Sequence, residues 1–524
     1  MNQLAISIIL ASCAALDLIV VLKRDLMMLQ QNSYRNERYI RWFNTSSETT
    51  SPWRMGACIA LFLLLVNNLP ELLANIISAG ILFANFIAFI KRKYKKPLVF
   101  TKRAIRLYVV ICILAFALPV VLGVTTHSFS LANKLVVLSI VISPFFIILS
   151  NLLLSPVEKY INGIYIRQAK QILKSNPNIV IIGITGSYGK TSTKHFLQHI
   201  LRQKYETLMT PGSFNTLLGV VRTVRESLKP YTEVFIVEMG AKQKGDIKEI
   251  CDFVHPHIGI VTSIGEQHLE SFKTLDNILN TKMELADALP ADGCAVINDS
   301  NAAVRKKQLS CSQVIYFGTD DDDYYITEVN YDGGITSLKI KDRHSWTLEL
   351  KTPLVGQANL TNLLAAVIVA KKMNVSDVEI KYAAATMPQV EHRLQVRNAA
   401  GYIILDDAFN SNPKGAAMAL EVLEKMTRNG GNKIIITPGM IELGDLQFEK
   451  NEHLGKEIGN AVDMAIIVGQ YNREALLKGL EQSKIDRGKV FAVDTFAEAQ
   501  KLMLLHVRHG DVVLLENDLP DTFK

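Results

Sequence analysis

The chain has 524 residues, 49% hydrophobic and 20% charged, with 57 Lys and Arg against 50 Asp and Glu for a formal net charge of +7. The hydrophobic content excludes an intrinsically disordered chain, and the length requires several domains. Six cysteines without a C-x-x-C pair exclude a disulfide framework and a zinc ribbon.

Five long apolar runs precede residue 155, at 4–22, 55–69, 72–90, 107–124 and 135–154. Each is near the length that crosses a hydrocarbon core, the second being the shortest, and together they predict a membrane domain of five transmembrane helices over 1–154. No basic stretch precedes the first run and further spans follow, which argues against a cleaved signal peptide. Asn67, Asn68 and Pro70 predict a hairpin turn between the second and third spans. The stretch 91–106 carries Lys91, Arg92, Lys93, Lys95, Lys96, Lys102, Arg103 and Arg106, whereas 125–134 carries Lys134 alone. With basic loops inside, the N-terminus lies outside and the rest of the chain in the cytoplasm. Positive charge concentrated in these loops points to an anionic membrane surface and not to nucleic acid.

Residues 155–178 follow. Ile161, Ile164, Tyr165, Ala169, Ile172 and Leu173 stand at helical spacing before Asn176-Pro177-Asn178, predicting an amphipathic connecting helix. From Val180 the chain then reads VIIGITGSYGKTSTKHFLQHIL, a β-branched run, a glycine-rich turn and a helix from Lys190. This order places backbone N–H groups and a helix N-terminus around a phosphate, with Lys190 as point charge and Thr191 set to hold Mg²⁺. Ile184 occupies the first glycine position of the strict eight-residue pattern, so the match is to the shorter T-G-x-x-G-K-T, Thr185 to Thr191.

Downstream, each predicted strand or turn delivers polar residues to a crevice. Asn215 and Thr216 precede a helix, either facing a substrate or capping that helix. EVFIVEMG ends a buried strand in Glu238, a strand-end acid suited to Mg²⁺. IGIVTSIGEQH carries His268, a lone histidine and so more often structural than ligating, and the helical NTKMELADAL carries Lys282, which on a helix is by default a solvated cation. The Thr, Ile and aromatic alternation up to Leu350 predicts antiparallel strands, and GQANLTNLLAA then brings Asn359 and Asn362 to a helix start. PQVEHRLQV, with His392 and Arg393, reads as a linker. Strands at 402–405, 433–437, 464–468, 490–493 and 511–515 alternate with helices at 415–426, 449–462, 473–482 and 496–506, a five-stranded α/β domain whose first strand runs into DDAFNSNP.

In order and spacing, TGSYGKTS, VEMG, IGEQH, TKMEL, GQANLTNLLAA, EHRL, DDAFNSNP and MIELGD resemble the Mur ligase family, the ATP-dependent amide ligases of bacterial cell-wall synthesis. IGEQHLE, DDAFNSNP and MIELGD are most similar to the members that add D-alanyl-D-alanine to UDP-muramoyl tripeptide. The resemblance implies a P-loop central domain over 179–395 and a Rossmann-like C-terminal domain over 396–524, in a protein of the bacterial inner membrane.

It also implies roles. Thr185, Gly186, Ser187, Gly189, Lys190, Thr191 and Ser192 would cradle the ATP phosphates, and Thr191, Glu238 and His268 would surround Mg²⁺. Lys282 falls where the family carries a carbamylated lysine, able to ligate a second Mg²⁺. Asn359 would face adenine, Arg393 and Asp407 would reach the nucleotide from the linker and C-terminal domain, and Asn215 and Thr216 would contact the acceptor. Lys190, Lys282 and His268 would be the catalytic set. Partners implied are a cell-wall precursor or other carboxylate acceptor, an amino acid or dipeptide amine, and membrane lipid.

Three departures stand out. The family's N-terminal UDP-binding domain is replaced by the apolar spans, Ala358 stands where His is common, and LLENDLPD lacks a Lys-Gly-Ser. The expected function is therefore a membrane-bound ligase acting on a muramoyl peptide, with two alternatives: a Mur-type ligase acting on a lipid-linked or polymeric acceptor, or a non-catalytic nucleotide-binding scaffold.

Overall fold

The computed structural model describes residues 3–519 except 47, 67–68, 93, 95, 266–271, 300–302, 308, 310, 333–334, 410, 427–429 and 442. The chain forms two units, Met1–Asn162 with Leu519–Lys524, and Gly163–Asp518.

The first unit is helical. Helix α1 (Gln3–Gln31) is its centre and packs against α4 (Glu71–Lys91), α5 (Lys102–Thr125) and α6 (Phe129–Val141), while α3 (Pro52–Leu65) packs on α4 and α6. Leu10, Ala14, Leu18, Val21 and Leu22 make the buried stripe of α1 at helical spacing. A short helix, α2 (Asn36–Thr45), follows α1. Amides within the apolar runs join helices to one another: Asn133 Nδ2 donates to Ser7 O at 3.0 Å, and Asn85 Nδ2 to Trp53 O at 3.0 Å.

Among the described residues α1, α4 and α5 are long and apolar enough to cross a membrane. The expected fifth span breaks: α6 and α7 (Ser143–Lys174) pass that test only as a pair bent by 75°. Pro144 explains the break, because proline lacks the N–H that a continuing helix needs and fits only the first turn of a new one. The expected second span is the 14-residue α3, ending at Leu65. Asn67 and Asn68 of the expected hairpin lie outside the described residues. Helix α7 carries the second part of the last apolar run, 143–154, and the amphipathic stretch, so the predicted connector is the second half of one 32-residue helix.

The second unit contains two sheets. Among the described residues, the larger has nine strands in the order β2-β3-β1-β4-β5-β6-β7-β8-β9. Strands β1 (Val180–Thr185), β2 (Thr207–Met209), β3 (Val234–Glu238), β4 (Ile258–Val261), β5 (Cys294–Asn298) and β6 (Gln313–Phe317) are parallel, and β7 (Tyr324–Asp332), β8 (Ile335–Asp342) and β9 (Thr347–Thr352) extend the sheet as an antiparallel meander. One face is covered by α8 (Lys190–Leu201), and the other by α9 (Leu217–Ser227), α10 (Asp246–Val254) and α11 (Leu275–Asp287). Helices α12 (Gln357–Lys372) and α13 (Asp377–Ala385) join the face of α8. Burial on both faces accounts for strands such as VFIVE having no polar alternation.

Among the described residues the smaller sheet has six strands, β10-β11-β15-β12-β13-β14, one more than expected. The addition is β10 (Gln395–Asn398), antiparallel to β11 (Ile403–Asp407); β10 starts within the last two residues of the expected linker. Parallel strands β12 (Lys433–Thr437), β13 (Met464–Val468), β14 (Val490–Val493) and β15 (Val512–Glu516) complete it, covered by α14 (Pro413–Met426), α15 (Gln447–Ala461), α16 (Arg473–Glu481) and α17 (Phe496–His506). Both sheets therefore present the carboxyl ends of parallel strands, where doubly wound folds bind ligands.

Candidate nucleotide and ligation site

Strand β1 ends in Thr185, whose buried hydroxyl donates to Met239 O at 3.0 Å. The turn after it is packed too tightly for side chains. A Cβ on Gly186 would lie 1.9 Å from Thr262 Oγ1, and one on Gly189 would lie 2.2 Å from Asn362 Oδ1; both glycines have positive φ. Ser187 Oγ donates to Gly265 O at 3.0 Å and Thr262 Oγ1 to Tyr188 O at 2.5 Å, pinning the loop to the end of β4. Ser192, one turn into α8, is buried.

Lys190 folds back over this loop, donating from Nζ to Gly186 O at 2.6 Å and Ser187 O at 3.0 Å. Part of its surface stays open, yet it is surrounded closely enough that desolvation lowers its pKa to about 8; Glu238 opposes the shift and Arg393 adds to it. The ammonium rests on carbonyl oxygens, the contacts it would exchange for phosphate oxygens.

Glu238, 1% exposed at the end of β3, is the hub. Thr191 Oγ1 donates to its Oε2 at 3.1 Å, Asn215 Nδ2 to its Oε1 at 3.2 Å, and Lys194 Nζ pairs with Oε2 at 2.9 Å. Burial pushes the carboxyl pKa up, but Lys194, Lys190 and the hydrogen bonds from Lys194 and Asn215 outweigh it and hold the pKa below its ordinary value. Lys194 is fully buried and also donates to Gly212 O at 2.6 Å, tying α8 to the turn before α9. Sequence reasoning passed over Lys194. Its signal was position: i+4 from Lys190 lies on the same helix face. Of the expected acceptor contacts, Asn215 is turned onto Glu238, whereas Thr216 caps α9, its Oγ1 accepting from Gly219 N at 3.4 Å.

Lys282 on α11 is 2% exposed, so the solvated-face reading does not hold. Its pKa is driven well below the ordinary value by desolvation first and the charge of Lys190 second, with Asp246 and Glu284 opposing. A neutral lysine is the nucleophilic form that carbamylation by CO₂ requires. His268 lies outside the described residues. Asn359 is buried and donates to Val355 O at 3.1 Å, and Asn362 sits over Gly189.

From the C-terminal domain, Arg393 stacks over the Phe409 ring, 3.9 Å from the centroid. Desolvation lowers its pKa while Asp407 and Glu238 oppose, so it stands within electrostatic reach of both acids and of Lys190. Asp407 ends β11, accepts from Leu394 N at 3.0 Å, and has its pKa pushed by burial to about 6 against the pull of Arg393. Its register neighbour is Glu516, at the end of β15. Glu516 is 1% exposed and accepts from Ser411 Oγ through Oε1, while its Oε2 is buried without a hydrogen-bond partner among the described residues. Burial and the charge of Asp407 raise its pKa well above the ordinary value.

The residues present fit Mg-nucleotide. A glycine turn that a Cβ would fill, a lysine satisfied by loop carbonyls, and a threonine hydroxyl beside an ionised carboxylate supply the phosphate cradle and the hard oxygen ligands that Mg²⁺ takes.

Comparison with known proteins agrees with this geometry. Residues 184–370 match the Mur ligase middle domain and 392–516 the Mur ligase glutamate ligase domain. The chain is 30% identical over 362 residues to the UDP-N-acetylmuramoyl-tripeptide–D-alanyl-D-alanine ligase of Mycobacterium tuberculosis, covering 64% of this chain and 70% of that one. It is 26% identical over 310 residues to the Bacillus subtilis protein of that name, covering 58% and 66%. Among solved structures, MurF from Acinetobacter baumannii aligns with a TM-score of 0.60 at 27% identity, covering 68% of this chain and 77% of that one. MurF ligase from Thermotoga maritima in complex with ADP gives 0.60 at 26%, covering 68% and 80%. Phosphate loop, acid hub and two-sheet architecture thus agree with sequence similarity, and the chain belongs to the Mur ligase family.

Proposed function

We propose that this chain is a membrane-bound, ATP-dependent amide ligase of the dipeptide-adding type, joining D-alanyl-D-alanine to a muramoyl-peptide carboxylate. The observation that carries the reading is the tightly packed glycine turn with Lys190 folded over it and Thr191 donating to the buried Glu238. The relatives' names support the substrates, and the long apolar helices support a multi-pass location in the bacterial inner membrane with the catalytic domains in the cytoplasm.

In this reading the acceptor carboxylate attacks the γ-phosphate of ATP, giving an acyl phosphate and ADP. The amine then attacks the acyl carbon, and phosphate leaves from the tetrahedral intermediate. No protein nucleophile is needed, so catalysis is positioning and electrostatics. Lys190 leaves its loop carbonyls for the phosphate oxygens. Thr191 and Glu238 would hold Mg²⁺, joined by His268, and carbamylated Lys282 would hold a second ion. Mg²⁺, when bound, withdraws charge from the transferring phosphoryl group. Lys194 keeps Glu238 ionised and oriented. Asn359 would lie on the adenine side and Asn215 on the acceptor side, with Thr216 capping the helix that follows, and Arg393 with Asp407 would complete the site from the C-terminal domain.

The test is product mass from detergent-solubilised protein given Mg-ATP, UDP-muramoyl tripeptide and D-alanyl-D-alanine. The pentapeptide should appear only with all three, and its absence while ATP still binds would sink this substrate assignment. A Lys282→Ala variant should lose activity and regain part of it with added small carboxylates; full activity without them would rule out the carbamate.

A second reading keeps the chemistry but takes a lipid-linked acceptor. Glu516 favours it, since a buried acid stands in the LLEND segment where the dipeptide-adding members carry Lys-Gly-Ser, and so does the helical unit that replaces the UDP-binding domain.

A further inference from the structure

The helical unit buries a polar cluster where α1 ends and α3 begins. Asp25, 0% exposed, accepts from Arg54 Nη2 at 3.2 Å, from Ser143 Oγ at 2.7 Å and from Arg24 Nη1 at 3.4 Å, while Arg24 also pairs with Glu48. The two guanidinium groups stack against one aromatic wall. Arg24 lies 5.1 Å from the Trp53 centroid and 5.6 Å from Trp42, and Arg54 lies 4.4 Å from Trp53 and 4.7 Å from Phe43. Arg24 and Arg54 are 4% and 5% exposed.

Charge balances in this cluster, two guanidinium groups against two carboxylates. Hydrogen bonding does not. Arg24 Nε, Arg54 Nε, Arg54 Nη1 and Trp53 Nε1 are buried without an acceptor among the described residues, as is the Tyr39 hydroxyl without a partner, whereas the cluster's one unpaired acceptor-only oxygen is Glu48 Oε2. A buried donor without an acceptor is unfavourable, so several in one place describe a site lacking its acceptor. Each water would bring two donors of its own, whereas the unmet atoms here are mostly donors. A phosphate brings acceptor oxygens without donors, and arginine's rigid, weakly hydrated fork suits it.

The cluster also lies at the level where a headgroup would sit. Arg24 is in the last two turns of α1 and Arg54 in the first turn of α3. Just beyond, Gln30 Nε2 donates to Val99 O and Gln31 Nε2 to Lys96 O, both at 2.8 Å, placing the end of α1 beside the basic loop.

We infer that Arg24, Arg54, Trp53 and Tyr39 form a binding site for a phosphate- or diphosphate-bearing group, carried by a lipid headgroup or free in solution. The inference stands on the helical unit by itself, independent of which carboxylate the ligase uses.

Two of the chain's three tryptophans, Trp42 and Trp53, flank the site, so their emission reports on it. The experiment uses the full chain with Trp346→Phe in a phosphate-free detergent, with saturating MgADP to fill the nucleotide site, titrated with inorganic pyrophosphate or farnesyl diphosphate. A saturable change in emission is expected. Arg54→Gln should weaken binding at least about tenfold, and the gentler Tyr39→Phe by several-fold, with ADP affinity unchanged in both. Tighter binding of farnesyl diphosphate by about tenfold or more assigns the group to a lipid; equal affinities assign it to a soluble diphosphate. No saturable response to either probe, or a response that neither substitution alters, overturns the site.

Discussion

Glu238 and Glu516 end parallel strands of the two sheets, and each is 1% exposed, yet their surroundings shift their pKa values in opposite directions. Glu238 faces Lys194, Lys190, Thr191 and Asn215, and its pKa falls below the ordinary carboxyl value. Glu516 faces Asp407, accepts from Ser411 and leaves one oxygen orphaned, and its pKa rises far above. Burial raises the stakes equally for both, and neighbours decide the outcome. An ionised acid suits a metal-nucleotide site.

The comparison breaks most severely at its cations. Lys190→Ala removes both a support for Glu238 and the phosphate contact, and ATP-dependent turnover should fall by about 10³ or more in a phosphate-release assay. Unchanged cellular function in that variant would support the scaffold alternative instead. Lys194→Met should cost about 3–5 kcal/mol in denaturant unfolding of the catalytic unit, because it leaves Glu238 buried without its ion pair. If Glu238 is the hub described, Lys194→Arg should recover part of that loss.

The two acids should also pull stability in opposite directions with pH. Asp407 and Glu516 have folded pKa values above their unfolded ones, so their contribution is fully present below the unfolded values and lost as pH rises through the folded ones. For Asp407 that window runs from 3.8 to about 6. Glu238 is depressed, so its contribution holds above the unfolded pKa and is lost on acidification through the folded one. Asp407→Asn should therefore flatten, by about 1–3 kcal/mol, the decline in unfolding free energy between pH 4 and pH 7. An unaltered slope would mean that Asp407 titrates normally. The smallest effect belongs to Thr216→Ala, about 1 kcal/mol from a lost helix cap. A large rise in the Michaelis constant for the acceptor in that variant would instead give Thr216 its substrate role.

What was legible in the sequence follows the same division between local and assembled chemistry. The phosphate loop is contiguous, so strand, glycine turn, Lys190 and helix could be read in order. The strands at Lys433–Thr437, Met464–Val468 and Val490–Val493 and the helix Phe496–His506 match their predicted bounds, the helix because Thr495 and Glu498 form a capping box. Lys194 was not legible, since a lysine on a helix is solvated unless an acid from elsewhere meets it, and Glu238 arrives from another strand. The same holds for Lys282, whose burial comes from packing. Strand β10 gives no strand signal in the sequence, because Gln395–Asn398 has little hydrophobic pattern and pairs only at the sheet edge. The orphaned donors around Arg54 depend on three helices meeting and left no trace in local sequence.

The most direct measurement is positional isotope exchange in ATP labelled with ¹⁸O at the β,γ-bridge, with UDP-muramoyl tripeptide present and the amine omitted. The account predicts scrambling of label into the β-nonbridging positions that depends on the carboxylate and disappears in Lys190→Ala, as reversible acyl-phosphate formation requires. ATP bound with no scrambling for that carboxylate or for membrane-extracted acceptors, or scrambling without any carboxylate, would contradict it.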